Sequence, residues 1–256
     1  MLFCVAFLME TSFSLSAQDT VPDTAHTGCK SDTVYSARDS GLNYKRLIIP
    51  AVFISYGIAG LSVKALKQLN FSTRDEVVED RPAQNHLDNY TQYLPAAMVY
   101  GFNAIGVRGA HDFRDRTIIY VTSQLLSASM VLPLKYLVGE RRPDGSNNQS
   151  FPSGHTATAF SSAQFMFREY RDSNFWLSLC GYPVAIFTGI YRVINNKHYV
   201  GDVVAGAGFG ILSTELAYWL YPKINALLGH GKHATRAMIA PSIRQGSYAV
   251  AFVRYF

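Results

Sequence analysis

Six stretches of this chain are apolar and almost free of charge, and they leave few folds open. They cover 47–63, 93–107, 118–134, 156–167, 175–190 and 203–221. Cations stand at their edges: Lys45 and Arg46 before the first, Arg108 after the second, Lys135 after the third, Lys223 after the last. Several are shorter than the roughly 20 residues that cross a bilayer unaided. Flanking Lys, Arg, Tyr and Trp side chains extend such segments by reaching to the interface. A soluble bundle with buried helices is the competing architecture. Charged residues make up 16% of the chain, against about 25% in ordinary soluble domains. The pattern therefore predicts an all-α, polytopic membrane helix bundle with about six transmembrane helices.

The rest of the chain frames that bundle. Residues 1–17 form a signal-like apolar segment, with Ser14-Leu15-Ser16-Ala17 resembling a cleavage site. Residues 18–44 are a polar lead-in, 45–222 the membrane domain, and 223–256 a basic tail with a strand-like end from Tyr248 to Phe256. The charged stretch 70–91 reads as a partly helical surface loop along the membrane interface. The net charge of +5 fits cationic flanks of membrane helices. No Lys/Arg-rich run with interleaved aromatics points to nucleic acid. Cys4, Cys29 and Cys180 have no zinc or disulfide spacing and read as small apolar fillers.

Three motifs stand at segment ends. Lys135 and Arg142 are seven apart, which on a helix puts them on one face, with Pro143 ending the helix. Pro152-Ser153-Gly154-His155 follows. Ser153 is a good N-cap, Gly154 lets backbone approach a ligand, and the helix start attracts an anion. Arg192 then precedes His198 by six, and Asp202 follows it by four. A carboxylate at that offset can orient an imidazole and leave its other nitrogen free to attack phosphorus. Each piece alone has an ordinary structural explanation: a snorkelling cation, a capped helix, a histidine at a helix edge. Together they read as a phosphate site at a membrane face. No metal-ligand cluster accompanies them, so cations would balance the phosphate charge.

The three motifs resemble the signature of the type 2 phosphatidic acid phosphatase family: Lys-x6-Arg-Pro, Pro-Ser-Gly-His and Ser-Arg-x5-His-x3-Asp. The chain departs from it at Tyr191, where the family usually has Ser. The resemblance implies that His198 attacks phosphorus to form a phosphohistidine and that Asp202 orients it. It implies that His155 protonates the leaving oxygen and later activates water. Lys135, Arg142, Arg192, Ser153 and Gly154 would bind the phosphoryl oxygens, with no cofactor. The expected substrate is a membrane lipid phosphate: isoprenyl diphosphate, phosphatidylglycerol phosphate, phosphatidic acid or lipid A. A lipid phosphotransferase, a vanadate-dependent haloperoxidase and a non-catalytic lipid-binding protein are the competing functions.

All three motifs fall on one membrane side. The opposite side carries Arg108, Arg114, Arg116, Arg168 and Arg171. The positive-inside rule then puts the site on the periplasmic face of a bacterial inner membrane. Cleavage after residue 17 followed by six spans would put it inside, so the two readings conflict.

Overall fold

The computed structural model describes residues 43–80, 86–228, 237–244 and 247–254, the last two as backbone only. The signal-like segment and nearly all of the polar lead-in lie outside the described residues. The elements in order are α1 (Lys45–Ser62), α2 (Lys64–Asp80), α3 (Asp88–Thr91), α4 (Leu94–Ala104), α5 (Phe113–Val138), α6 (Gly154–Tyr170), α7 (Phe175–Leu179), α8 (Gly181–Ile194), α9 (Val200–Leu227), β1 (Ala237–Arg244) and β2 (Ser247–Arg254).

The apolar stretches coincide with α1, α4, α5, α6, the α7–α8 pair and α9. Apolar surroundings force this choice, because a helix satisfies its own backbone polar groups. Four of them are long and apolar enough to cross a membrane: α1, α5, Phe175–Ile194 and α9. The expected count of about six is not met on length, because α4 has 11 residues and α6 has 17. The shortness of α6 goes with its position. It packs against α4, α5, α8 and α9, and 13 of its residues are buried. Its Ser161, Ser162, Gln164, Arg168 and Glu169 therefore meet protein rather than lipid. The lipid-facing surface is made elsewhere, by Ile48, Val52, Leu125, Leu132, Trp176 and Ile186, all exposed.

Helix α9 is the hub, packing on α1, α5 and α6. Its approach to α6 depends on two glycines. A Cβ on Gly206 would lie 2.5 Å from the Ser153 carbonyl oxygen. One on Gly210 would meet the Ala157 carbonyl and lie 2.8 Å from the Ser161 nitrogen. Small residues at such contacts let dispersion act between backbones where lipid removes the hydrophobic drive.

The end of the bundle away from the motifs holds buried ion pairs. Glu169 accepts from Arg116 Nε at 3.3 Å and Tyr218 OH at 2.8 Å, and its Oε1 lies 2.6 Å from His111 Nδ1. Glu215 accepts from Arg168 Nη1 at 2.8 Å and Gln164 Nε2 at 2.6 Å. Arg116 and Arg168 are thus internal partners of carboxylates, not free loop charges.

The stretch read as a partly helical surface loop holds the end of α2 and all of α3, with residues 81–85 outside the described residues, and its Asn70 and Asp88 are buried rather than at the surface. The C-terminal part also differs from a purely helical chain. β1 and β2 pair antiparallel, Ala237 opposite Arg254 and Arg244 opposite Ser247. The strand-like end lies largely in β2, and its partner comes from the segment read only as basic tail.

Replacing Gly210 by Ala should lower the unfolding free energy by about 2 kcal/mol, the usual scale of overpacking. Gly101→Ala, where a Cβ meets nothing within 4 Å, should leave it unchanged or slightly higher. Thermal unfolding of both variants in detergent checks this.

Candidate active site

The motifs meet where the C-terminal ends of α5 and α8 face the N-terminal ends of α6 and α9. Lys135 lies in the last turn of α5 and is buried, with Nζ donating to the Gln149 carbonyl at 2.8 Å. The helix stops at Val138 because Gly139 takes a left-handed φ of 63°. Arg142 is therefore in the following loop, not on the same helix face as Lys135, and Gly139 rather than Pro143 ends the helix. The loop is closed by its own backbone: Arg142 N–H donates to the Asn147 carbonyl and Ser150 N–H to the Glu140 carbonyl, both at 2.9 Å. Arg74 of α2 steadies it from outside, donating to the Pro143 carbonyl at 3.3 Å.

Ser153 occupies the N-cap position of α6, but its side chain makes no cap hydrogen bond. Its hydroxyl oxygen accepts from Thr156 Oγ1 at 2.9 Å instead. Its N–H donates to the Asp202 carbonyl at 3.0 Å, which locks the start of α6 to the start of α9. Gly154 opens the helix beside Lys135, whose Cε would sit 3.8 Å from a Cβ there.

His198 is 2% exposed and sits just before α9. Its Nδ1 lies 3.6 Å from Asp202 Oδ2, an ion-pair distance too long for a hydrogen bond. Asp202 is held by others: Tyr199 N–H donates at 2.9 Å and Ser150 Oγ at 2.5 Å. The carboxylate is therefore fixed by groups other than the His198 ring. Arg192 is buried at the end of α8, with Nη1 donating to Asp88 Oδ2 at 2.5 Å. His155 Nε2 lies 2.8 Å from Asn89 Oδ1. Tyr191, the departure from the family pattern, packs on Phe187 with ring centroids 5.0 Å apart.

Electrostatics tie these groups together. Burial pushes His198 down to about 4; Asp202 opposes this, while Arg192 and Lys135 add to it. Burial also pushes His155 down to about 4, and Arg192, Arg142 and Lys135 act the same way. Burial and then Arg192 pull Arg142 below its ordinary value. Burial, with the Asp202 carboxylate beside it, holds Glu140 well above the usual carboxylate range, so it is protonated at neutral pH. Arg192 and Lys135 thus act on both imidazoles, and Arg142 on His155. Among the described residues, Arg142 Nε, Arg192 Nε and His198 Nδ1 are buried with no hydrogen-bond partner. No cluster of three or more His, Cys, Asp or Glu among the described residues is placed to hold a metal ion.

Four contributors escaped the motif reading: Asp88, Asn89, Glu140 and Ser150. Asp88 and Asn89 lie in a polar stretch that looks like solvated surface. The one available signal was charge balance, since three cations gathered in one site exceed what a single Asp202 can offset.

Helices long and apolar enough to cross a membrane, with three cations and two histidines gathered at one end of the bundle, make this a membrane protein with its charged motifs at one face. Residues 116–226 match the family model described as PAP2 superfamily. It is 37% identical over 166 residues, 62% of its length, to a lipid A 1-phosphatase of Porphyromonas gingivalis, and spans 37% of that relative. It is 33% identical over 118 residues, 43% of its length, to a lipid A 4'-phosphatase of Bacteroides thetaiotaomicron, and spans 50% of it. The chain thus spans between about a third and a half of these curated relatives. A crystal structure of a transmembrane PAP2-type phosphatidylglycerolphosphate phosphatase from Bacillus subtilis overlays with a TM-score of 0.48 and 21% identity, covering 75% of this chain and 100% of that one.

Removing one partner of a buried pair leaves an uncompensated charge, so Asp88→Ala should cost about 3 kcal/mol of stability. Inorganic phosphate, a replacement counter-ion for Arg192, should recover part of that loss. Thermal melts with and without phosphate measure both effects.

Proposed function

We propose that this protein is a membrane lipid phosphatase working through a phosphohistidine on His198. The observation that carries the reading is the pair of buried, unpartnered Nε atoms of Arg142 and Arg192, with Arg192 and Lys135 acting on both imidazoles and Arg142 on His155. A tetrahedral oxyanion is what such donors complement, and in a water-poor site they act strongly on developing charge. The start of α6 at Ser153 and Gly154 adds backbone N–H groups and the positive end of a helix dipole.

The geometry supports the following order of steps. In this reading the Asp202 carboxylate, 3.6 Å from His198 Nδ1, favours the proton on that nitrogen and leaves the Nε2 lone pair as the nucleophile. That nitrogen bonds to phosphorus as the phosphorus–oxygen bond to the lipid breaks. The departing oxygen takes a proton from His155. A water oxygen then bonds to phosphorus as the phosphorus–nitrogen bond breaks, its proton passing to His155, which releases inorganic phosphate and restores His198. Protein cations balance charge throughout, and no step needs a metal.

The lipid end has its own surface. An apolar pocket of about 320 Å³ lies between α2, α8 and α9, lined by Val77, Ile190, Val193, Val200, Val203 and neighbours. Val193 adjoins Arg192 and Val200 is two residues from His198, so an acyl chain there would put its headgroup at the cations. The two relatives named as lipid A phosphatases put a lipid A phosphate first among the substrates to test. The site's proposed side is the periplasmic face of an inner membrane. Arg108, Arg114, Lys45 and Lys223 support this, because they are exposed at the opposite end of the bundle.

Phosphate release by detergent-purified protein from lipid A, phosphatidic acid, phosphatidylglycerol phosphate and isoprenyl diphosphate tests the reaction. Release should persist in chelator and fall at least ~100-fold in His198→Ala. Full activity in that variant would overturn the reading. Transfer of phosphate to an acceptor lipid, with none released, would make the protein a phosphotransferase. Because the nucleophile must be neutral, kcat/KM should decline as pH falls through about 4. For the orientation, Ser146→Cys in a background lacking the native cysteines should react with an impermeant maleimide in intact cells. Labelling only after permeabilisation would place the site inside.

A further inference from the structure

We propose that Asn89 is the positioning residue of His155, and that its side-chain oxygen stands where the substrate's leaving oxygen must come. The proposal rests on the phosphatase reading for the role of His155, and on the structure for the contact. His155 Nε2 and Asn89 Oδ1 are 2.8 Å apart. An amide oxygen only accepts, so the contact requires the proton on His155 Nε2. That is the proton the leaving oxygen takes. A lipid alkoxide or phosphate oxygen is also an acceptor, and it would use the same N–H from the same direction. Asn89 thus keeps the acid aimed until substrate replaces it.

The surroundings of Asn89 suit this task. Its backbone is held on both sides: its N–H donates to the His86 carbonyl at 3.1 Å, and its carbonyl accepts from Gln92 Nε2 at 2.9 Å. The short α3 is fastened to α8 at two further points. Arg192 donates to Asp88, and the Thr91 and Thr188 hydroxyls lie 2.8 Å apart. The Asn89 residue itself is exposed. The segment is therefore fixed while this one side chain can swing aside. Asn89 also lies outside 116–226, so the acid is aimed by a residue beyond the matched family segment.

The charges facing His155 explain why a neutral partner is used. Arg192 from α8, Arg142 from the loop and Lys135 from α5 disfavour its second proton, and Asp88 from α3 favours it. With these cations in place the resting ring carries one proton, on Nε2. An arriving phosphate offsets them, so Nδ1 takes up the second proton while Nε2–H stays aimed at the leaving oxygen. A carboxylate in place of the amide would favour that second proton without substrate and raise the ring's midpoint.

The test compares the unaltered protein with Asn89→Asp, Asn89→Ala and His155→Ala. Histidine labelled with carbon-13 at Cε1 is titrated by NMR in detergent, the His155 signal being the one absent from His155→Ala. Asn89→Asp should raise the His155 midpoint by about one pH unit. The upper limb of kcat/KM against pH, measured as phosphate release from lipid A, should move by the same amount. Asn89→Ala should lower kcat about tenfold with little change in KM. A His155 titration in Asn89→Asp that superimposes on that of the unaltered protein overturns the proposal. The titration needs no turnover. Absence of phosphate release from any lipid would instead remove the phosphatase reading, so the two failures are separable.

Discussion

The contact on which everything else depends is the near touching of backbones between α6 and α9. Gly206 and Gly210 leave no room for a side chain against the carbonyls of Ser153 and Ala157. That closeness lets the Ser153 N–H reach the Asp202 carbonyl. Asp202, beside His198, and Ser153, two residues before His155, are therefore joined directly. The spacing between His155 and His198 is set by main chain, the stiffest material available, and not by long side chains. In lipid, where apolar surfaces gain little by meeting each other, such fit is the main source of cohesion.

The site then has to live with its own charge. Lys135, Arg142 and Arg192 are drawn toward one region of low dielectric, and two carboxylates, Asp88 and Asp202, offset them. The offset is incomplete, and the unpartnered nitrogens of Arg142 and Arg192 record the remainder. A fully neutralised cluster would be more comfortable and would bind an anion less well. The opposite end of the bundle shows the other solution. Glu169 and Glu215 are each surrounded by enough donors to settle Arg116 and Arg168. One end is tuned for attraction and the other for rest.

Much of this was legible in the residues, for definite reasons. Apolar periods in lipid admit one backbone solution, so the six stretches had to become helices. The motif residues had to lie at helix ends, since charges there can reach the interface. Details that depend on tertiary placement were not legible. Spacing alone put Lys135 and Arg142 on one helix face, but it could not see that Gly139 turns the chain between them. Ser153 has the chemistry of a cap, yet Thr156 and the Asp202 backbone occupy it instead. Asp88 and Asn89 sit among ordinary polar residues, and only the fold of α2 and α3 brings them over the site. The positive-inside count took in Arg116 and Arg168 because a sequence does not show which arginines are already spoken for by Glu169 and Glu215.

Those buried ion pairs have a consequence for how the protein is made. Helices α5, α6 and α9 each carry ionised groups that would enter lipid at about 3 kcal/mol apiece if the helices went in singly. Arg116 is matched from α6, and Arg168 is matched from α9, the last of the bundle helices to leave the ribosome. The short, polar α6 is therefore a poor candidate for independent insertion and a good one for delayed entry. Its passage into the bilayer is tied to the arrival of α9, so biogenesis of this bundle runs through assembly rather than ahead of it.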